Sequence, residues 1–248
     1  MATLKKYIKH LLFYLEGLYA SRKTYVSCPI CKHSYSHFYT YNARKNALCF
    51  HCRSLERDRS LHIFLEKRTD IFSRPNVKLL HFAPEISLYP VLKRSVTIDY
   101  VTADLSVTLN NYLQVVPDYV MSVTDIKFDD NTFDYLICNH VLDDVDDDAK
   151  ALNEFYRVLK RGGTAILSVP LNLNLAETIE FDESPEKIAW KKNMNISFEN
   201  KRYYGTDVKV RMEKAGFDVK HLTAAVLVED MEKQGLRTQD VIYVCFKK

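Results

Sequence analysis

The chain has 248 residues, of which 47% are apolar and 27% charged, and its formal net charge is +3. Such a composition excludes a disordered or collagen-like chain and leaves room for one sizeable core, or a core with a small module attached. Surface lysines alone supply so slight a positive balance, so charge identifies neither a nucleic acid nor a membrane as partner.

The first 26 residues, MATLKKYIKHLLFYLEGLYASRKTYV, begin as a signal peptide would, with basic residues ahead of an apolar run. Glu16 and Gly17 interrupt that run, no small-residue cleavage site follows, and the run is too short to span a bilayer. Leu4, Ile8, Leu11, Leu12, Leu15, Leu18 and Tyr19 recur at helical spacing, with Lys5, Lys6 and Lys9 on the polar side. Residues 1–26 therefore read as an amphipathic helix docked on the body of the protein, in preference to one lying on a membrane surface. A cytoplasmic location is expected.

Cysteine usage agrees with that expectation. Cys28 and Cys31 form one C-x2-C pair, Cys49 and Cys52 a second, and seventeen residues lie between the pairs. This spacing fits a zinc site, because each pair turns two thiolates toward one tetrahedral ion and two pairs close its coordination. A closed four-thiolate site is structural, so residues 27–72 are expected to be a zinc-knuckle module with a connecting helix. His33, His37 and His51 lie nearby but are not needed as ligands. Disulfides would require an oxidising compartment, and a redox motif needs only one pair. Cys138 and Cys245 fall in apolar strand-like runs and read as core residues.

After the second pair, RSLERDRSLHIFLEKR carries a helical pattern that Ser73, Arg74, Pro75 and Asn76 end. From Val77 onward, short β-branched and aromatic runs (VKLLHFA, TIDYVTAD, DYVMSVTDI, FDYLICNHVL, GTAILSVP) alternate with helical stretches, which describes βα units and a mostly parallel sheet. The helix Asp147 to Lys160 is expected to stop at Gly162 and Gly163. DVKVRMEKAGFDVKHLTAAVLVED and DVIYVCFKK read as a helix and two closing strands. Between Pro170 and Tyr204 lies a long polar and aromatic insertion, a length that usually serves function.

Only six glycines occur in the chain, and none lies between Gly17 and Gly162. Every turn that could cradle a phosphate is thus without glycine, which excludes a dinucleotide fingerprint and a P-loop. A cofactor lacking phosphates relaxes that demand.

In their order and spacing, the motifs LLHFAPE, YVTADLS, SVTDIKFDDNTFDYLICNHVLDDV, FYRVLKRGGTAILSVP and YYGTDVKVRMEKAGF resemble a class I S-adenosylmethionine-dependent methyltransferase. More narrowly, the chain looks like a bacterial-type group in which a cysteine-knuckle segment precedes the methyltransferase domain and the first motif reads HFAPE. The resemblance implies an α/β, Rossmann-like sheet with helices on both faces, preceded by a small zinc-ribbon-like module. It also implies a methyltransferase domain over 73–248, with 171–204 as a substrate-side insertion. Phe82, Ala83 and Glu85 would form the turn beside the methionine part of the cofactor. Asp104, at the end of the second strand and followed by Leu105, would accept hydrogen bonds from the ribose, a task suited to two acceptor oxygens. Asp125 and Ile126, at the end of the third strand, would meet the adenine, and Asn139 and His140 would lie beside the sulfonium. Members of the group often carry Glu-His where this chain has Asp143 and Asp144, and others an Asp-His pair where it has Asn200 and Lys201. The run DDVDDD reads as a solvated helix start, not as a metal cluster.

Methyl transfer is an in-line displacement in which the protein aligns the acceptor, and a base is needed only when the nucleophile starts protonated. His140 and Glu177 are the candidates for such a base. The expected acceptor is a small metabolite or a sugar, covered by the insertion. Two other readings stand beside it. One is an RNA methyltransferase, suggested by Lys32, Arg44, Lys45, Arg53, Arg57 and Arg59 around the zinc module. The other is a non-catalytic protein that keeps the fold for binding.

Overall fold

The computed structural model describes residues 2–105, 115–182, 184–193, 197 and 200–248, and side chains from His10 onward together with that of Ile8. Seven strands make one sheet: β1 (Val77–Phe82), β2 (Ile98–Asp104), β3 (Tyr119–Val120), β4 (Phe133–Asn139), β5 (Leu159–Ser168), β6 (Asp218–Thr223) and β7 (Val241–Phe246). Their spatial order is 3-2-1-4-5-7-6, with β7 antiparallel to β5 and β6 and the other pairs parallel. The order reverses between β1 and β4, so the crevice for a ligand lies beyond the carboxyl ends of those two strands.

Alternation along each strand explains the layers. Leu136 and Cys138 of β4, Ala165 and Leu167 of β5, and Tyr243 and Cys245 of β7 face one core. Helices α4 (Asp148–Val158) and α6 (Val208–Lys214) close that core with Leu152, Phe155, Val208 and Met212. Their neighbours Ile137, Ile166, Ile242 and Val244 point to the opposite core. There they meet Leu61, Phe64 and Leu65 of α2 (Glu56–Arg68) and, beside α3 (Tyr89–Lys93), Leu88 and Leu92. Cys28, Ile30, Tyr35, Phe38 and Cys49 belong to the same core, so the cysteine module is packed onto this face of the sheet. Arg59 ties the module to the chain near its end: fully buried, it donates to Ser54 O (2.7 Å) and Gly235 O (2.6 Å) and lies over the Phe38 ring.

Helix α1 (Ala2–Ala20) docks on the cysteine module by the face opposite Leu11, Leu12, Leu15 and Leu18, while the side chains of Leu4, Lys5, Lys6 and Lys9 lie outside those described. Phe13 meets Tyr39 and Phe50 with ring centroids 4.9 and 5.3 Å apart, Glu16 lies 3.3 Å from His37, and Ala20 is fully buried. Ile8, Leu11, Leu12, Leu15, Leu18 and Tyr19 remain exposed. The periodic apolar stripe is therefore not the docking face, because the aromatic rings of the module select Phe13 and the small Gly17 and Ala20 instead. Among the described residues, no helix is long and apolar enough to cross a membrane.

Two elements are shorter than their sequence patterns indicate. Strand β3 ends at Val120, after which Ser122 turns the chain by accepting the Thr124 N–H (3.1 Å), so Asp125 and Ile126 do not sit at a strand end. Helix α4 stops at Val158, since the Asn131 and Thr132 N–H groups take the carbonyls of Arg157 and Val158 at 3.0 and 2.8 Å. The insertion has structure of its own: Ile179–Glu180 pairs antiparallel with Arg202–Tyr203, and α5 (Pro185–Asn193) lies between.

Candidate active site

The turn after β1 explains the missing glycine. Ala83 has φ +48°, a left-handed conformation, and its N–H donates to Ala103 O at 2.8 Å. Glycine fills such positions without strain, whereas alanine accepts roughly 1–2 kcal/mol. Behind the turn, a buried chain of polar contacts crosses the switch point. Tyr100 Oη and His81 Nδ1 are 2.9 Å apart, His81 Nε2 lies 3.0 Å from Glu85 Oε2, Asn139 Nδ2 donates to Glu85 Oε1 (2.9 Å), and Ser168 Oγ donates to Asn139 Oδ1 (2.8 Å). Burial works to raise the Glu85 carboxyl, yet His81 and the Asn139 amide outweigh it and hold the group below its ordinary value.

In front of that turn opens a cavity of about 740 Å³, bounded by Phe82, Ala83, Asp104, Leu105, Met121 to Thr124 and His140, Val141, Asp144 to Asp147 and Lys150. Its volume falls within the ~300–1,000 Å³ of ordinary ligand pockets. Four aspartates against one lysine make the lining acidic, which suits a cationic ligand such as a sulfonium and opposes a pyrophosphate. Asp104 Oδ1 accepts the Leu105 N–H at 2.7 Å, a bond that fixes the carboxylate at the end of β2.

The expected cofactor residues separate accordingly. Phe82, Ala83, Asp104, Leu105 and His140 line the cavity, whereas Glu85 braces the turn and Asn139, which donates to it, lines a neighbouring cavity. Asp125 is exposed and paired with Lys127 at 2.5 Å, and Ile126 is buried in the core with its N–H on Glu154. Neither belongs to the lining. Met121, Ser122, Val123 and Thr124 occupy that wall instead, as a consequence of the early end of β3.

His140 (φ +51°) is common to this cavity and to a second one of about 250 Å³. The second is lined by Arg44 and Arg57 from the cysteine module and α2, by Ser168 to Leu171 and Tyr203, and by Arg237, Gln239 and Asp240 ahead of β7. Burial, together with Arg57, Arg44 and Arg237 and against Glu85, pushes the His140 imidazole down to about 3, so the ring is neutral at pH 7 and a weak base, suited to accept a hydrogen bond more than a proton. Glu177 is exposed and lines neither cavity. Its backbone covers Gly205, where a Cβ would come within 2.7 Å.

The aspartate run is divided among structural tasks. Asp143 accepts from Asn200 Nδ2, Asp147 caps α4 through the Lys150 N–H (2.8 Å), and Asp148 accepts from Tyr204 Oη (2.8 Å) and Arg211 (3.0 Å). Arg202, 3% exposed, donates to the carbonyls of Leu142, Val145 and Asp146 and so fixes the insertion onto this run.

Among the described residues, the one group arranged to hold a metal ion is Cys28, Cys31, Cys49 and Cys52, whose sulfurs all lie within 4.8 Å of one another. Cys28 and Cys52 are 3.6 Å apart and Cys31 and Cys49 3.7 Å, close to the ~3.8 Å edge of a tetrahedron with ~2.3 Å zinc–sulfur bonds. The two knuckles repeat one backbone turn. Lys32 and Arg53 have φ +64° and +60°, their N–H groups donate to the carbonyls of Cys28 and Cys49, and the Cys28 and Cys49 N–H groups donate to His33 O and Ser54 O. His33 and His51 stack on each other at 3.8 Å outside the cluster.

Comparison with known proteins agrees with this geometry. Residues 82–167 match the family model described as a methyltransferase domain. The curated proteins returned no match. Among solved structures, the [4+2]-cyclase SpnF is 15% identical with a TM-score of 0.54, over 85% of this chain and 87% of that one. An S-adenosylmethionine-dependent methyltransferase from Archaeoglobus fulgidus is 15% identical with a TM-score of 0.52, over 79% and 96%. A methyltransferase complex with the Trm112 activator from Haloferax volcanii is 17% identical with a TM-score of 0.50, over 77% and 91%. These likenesses concern the fold, which is that of a class I methyltransferase. Residues 82–167 thus match a methyltransferase domain, and the strand order and cavity position agree with the class I methyltransferase fold.

Proposed function

We propose that the protein methylates a small acceptor held in the 250 Å³ cavity, with S-adenosylmethionine in the acidic cavity next to it. The observation that carries this reading is His140, the one side chain common to both linings. When bound, the cofactor supplies an electrophilic methyl group. Asp104 would hold the ribose, the acidic lining would favour the cationic end, and the Ala83 turn would allow close approach of the backbone. His140, neutral at pH 7, would accept a hydrogen bond from a hydroxyl or amine acceptor and orient it toward the methyl group. The insertion, fixed by Arg202, would limit water at the acceptor. Zinc on the four cysteines would be structural, since four thiolates leave no open position. The narrower likeness to a group with an HFAPE turn is supported by the paired knuckles and by Ala83.

The size of the acceptor cavity favours a compact molecule over a polynucleotide. The basic residues near the module also have other tasks: Arg59 is buried, Lys32 faces Glu66 at 3.9 Å, and Arg53 lies 4.6 Å from the Phe13 ring. Calorimetry of the zinc-loaded protein with S-adenosylmethionine and S-adenosylhomocysteine tests the proposal. Micromolar binding of both is expected, and no binding by well-folded protein would overturn it in favour of a non-catalytic module.

A further inference from the structure

The second cavity has a charge character that narrows the acceptor. Arg44, Arg57 and Arg237 come from three separate parts of the chain and converge on a space of about 250 Å³ whose described lining holds one acid, Asp240. Their acidic neighbours do not fully occupy them. Arg44 Nη2 is 3.5 Å from Glu56, Arg57 Nε is 3.6 Å from Asp58 and Arg237 Nη1 is 4.0 Å from Asp240, separations beyond a normal charged hydrogen bond of ~2.7–2.9 Å. Arg237 also donates to Gln239. Arg44 Nε, Arg57 Nε and Asp240 Oδ2 are buried and have no hydrogen-bond partner among the described residues. Buried donors on guanidinium groups are costly to leave unmade, and a cluster of them in one cavity marks the place of an anionic group.

Building on the methyltransferase reading, we infer that the acceptor carries an oxyanion, a carboxylate or a phosphate, which Arg44, Arg57 and Arg237 hold while the atom to be methylated lies at His140. Guanidinium forks suit either anion, since both offer paired oxygens in a plane. The two cavities thus have opposite character: the acidic one suits a cationic cofactor, and the basic one an anionic acceptor. Proton balance follows from this arrangement. The acceptor's O–H or N–H bond breaks as its bond to the methyl group forms, the sulfonium bond breaks to leave a neutral thioether, and the released proton leaves to water, with His140 accepting the hydrogen bond that orients the acceptor. The cavity also accounts for the position of the cysteine module, which supplies Arg44 directly and Arg57 through the first turn of α2.

The test is titration of zinc-loaded protein with inorganic phosphate and with acetate, each with and without S-adenosylhomocysteine, for the wild type, Arg57→Met and Arg237→Met. At least one of the two anions is expected to bind the wild type and to bind each variant at least tenfold more weakly; the anion that does so identifies the acceptor group as phosphoryl or carboxyl. S-adenosylhomocysteine affinity should be unchanged in both variants, because no arginine is among the described residues lining its cavity. Equal anion binding by wild type and variants, or no anion binding by wild-type protein that binds S-adenosylhomocysteine, overturns the inference. Loss of S-adenosylhomocysteine binding by the wild type would instead overturn the methyltransferase reading, and the titrations without cofactor still decide the anion site. The two variants lie on different elements, and thermal unfolding of each shows whether it folds.

Discussion

Asn139 Nδ2 donates to Glu85 Oε1 at 2.9 Å, joining the end of β4 to the turn that follows β1 across the point where the strand order reverses. The bond belongs to the buried chain from Tyr100 to Ser168, so the shape of the cofactor cavity depends on residues that do not line it. Glu85→Ala would leave His81 and the Asn139 amide buried without their acceptor. A loss of about 2–4 kcal/mol in urea unfolding is expected, as when one partner of a buried charged pair is removed. A loss below about 0.5 kcal/mol would show that the network does not hold the turn.

On the proposed reading, Asp104 is the lining acid that would hold the ribose. Hydrogen bonds to a charged group contribute about 1.5–3 kcal/mol, so Asp104→Ala is expected to weaken S-adenosylmethionine binding roughly 10- to 100-fold with the unfolding midpoint unchanged. Calorimetric affinity equal to that of the wild type would remove Asp104 from the site.

At Ala83 the relevant variable is a backbone angle. Ala83→Gly is expected to leave stability unchanged or raise it by about 1 kcal/mol, while Ala83→Val, β-branched at φ +48°, should lower it by at least about 2 kcal/mol. Thermal unfolding of the pair measures both, and a Val variant as stable as the wild type would contradict the left-handed turn.

How far sequence reading reached depends on the range of the interactions involved. The alternation of strands and helices and the cysteine spacing are local patterns, so the seven-stranded sheet and the paired knuckles were legible. The leucine stripe of α1 was equally legible as a stripe, but which face docks is decided by Tyr39 and Phe50 of another segment. Asp125 and Ile126 look like the end of a strand because YVMSV is β-favouring; the hydroxyl of Ser122, which turns the chain, carries little weight in such a pattern. Arg44, Arg57 and Arg237 lie up to 193 positions apart in the sequence and meet only through the fold. The departures at Asp143 and Asn200 were visible separately, whereas their mutual contact was not.

That contact gives a pH dependence. Burial, with Asp144 beside it, pushes the Asp143 carboxyl up from 3.8 to about 7, against Arg202 and Arg57. The folded state then holds the proton more tightly than the unfolded chain, so this group favours folding most at acidic pH, and that stability is lost as pH rises from about 4 to about 7. Asp143→Asn keeps an acceptor for Asn200 and removes the titration. The variant is expected to gain on the order of 3 kcal/mol over the wild type at pH 8 relative to pH 4, read from urea unfolding at both values. A difference between the two proteins that does not change with pH would contradict it.

The cysteine module offers a way to separate the two cavities. Cys49→Ser removes one thiolate from a cluster that shares a core with α2 and β1. Zinc content is expected to fall well below one ion per chain, and a loss of about 3 kcal/mol would lower the unfolding midpoint by roughly 6–12 °C in a chain of this size. The described residues lining the acidic cavity lie between Phe82 and Lys150, outside the module, whereas Arg44 and Arg57 of the basic cavity lie within it or at its edge. Below its unfolding midpoint, the variant should therefore bind S-adenosylhomocysteine as the wild type does, while its anion response weakens. Full zinc occupancy would contradict the four-thiolate site, and parallel loss of both binding activities would show that the module supports the whole sheet and not the acceptor wall alone.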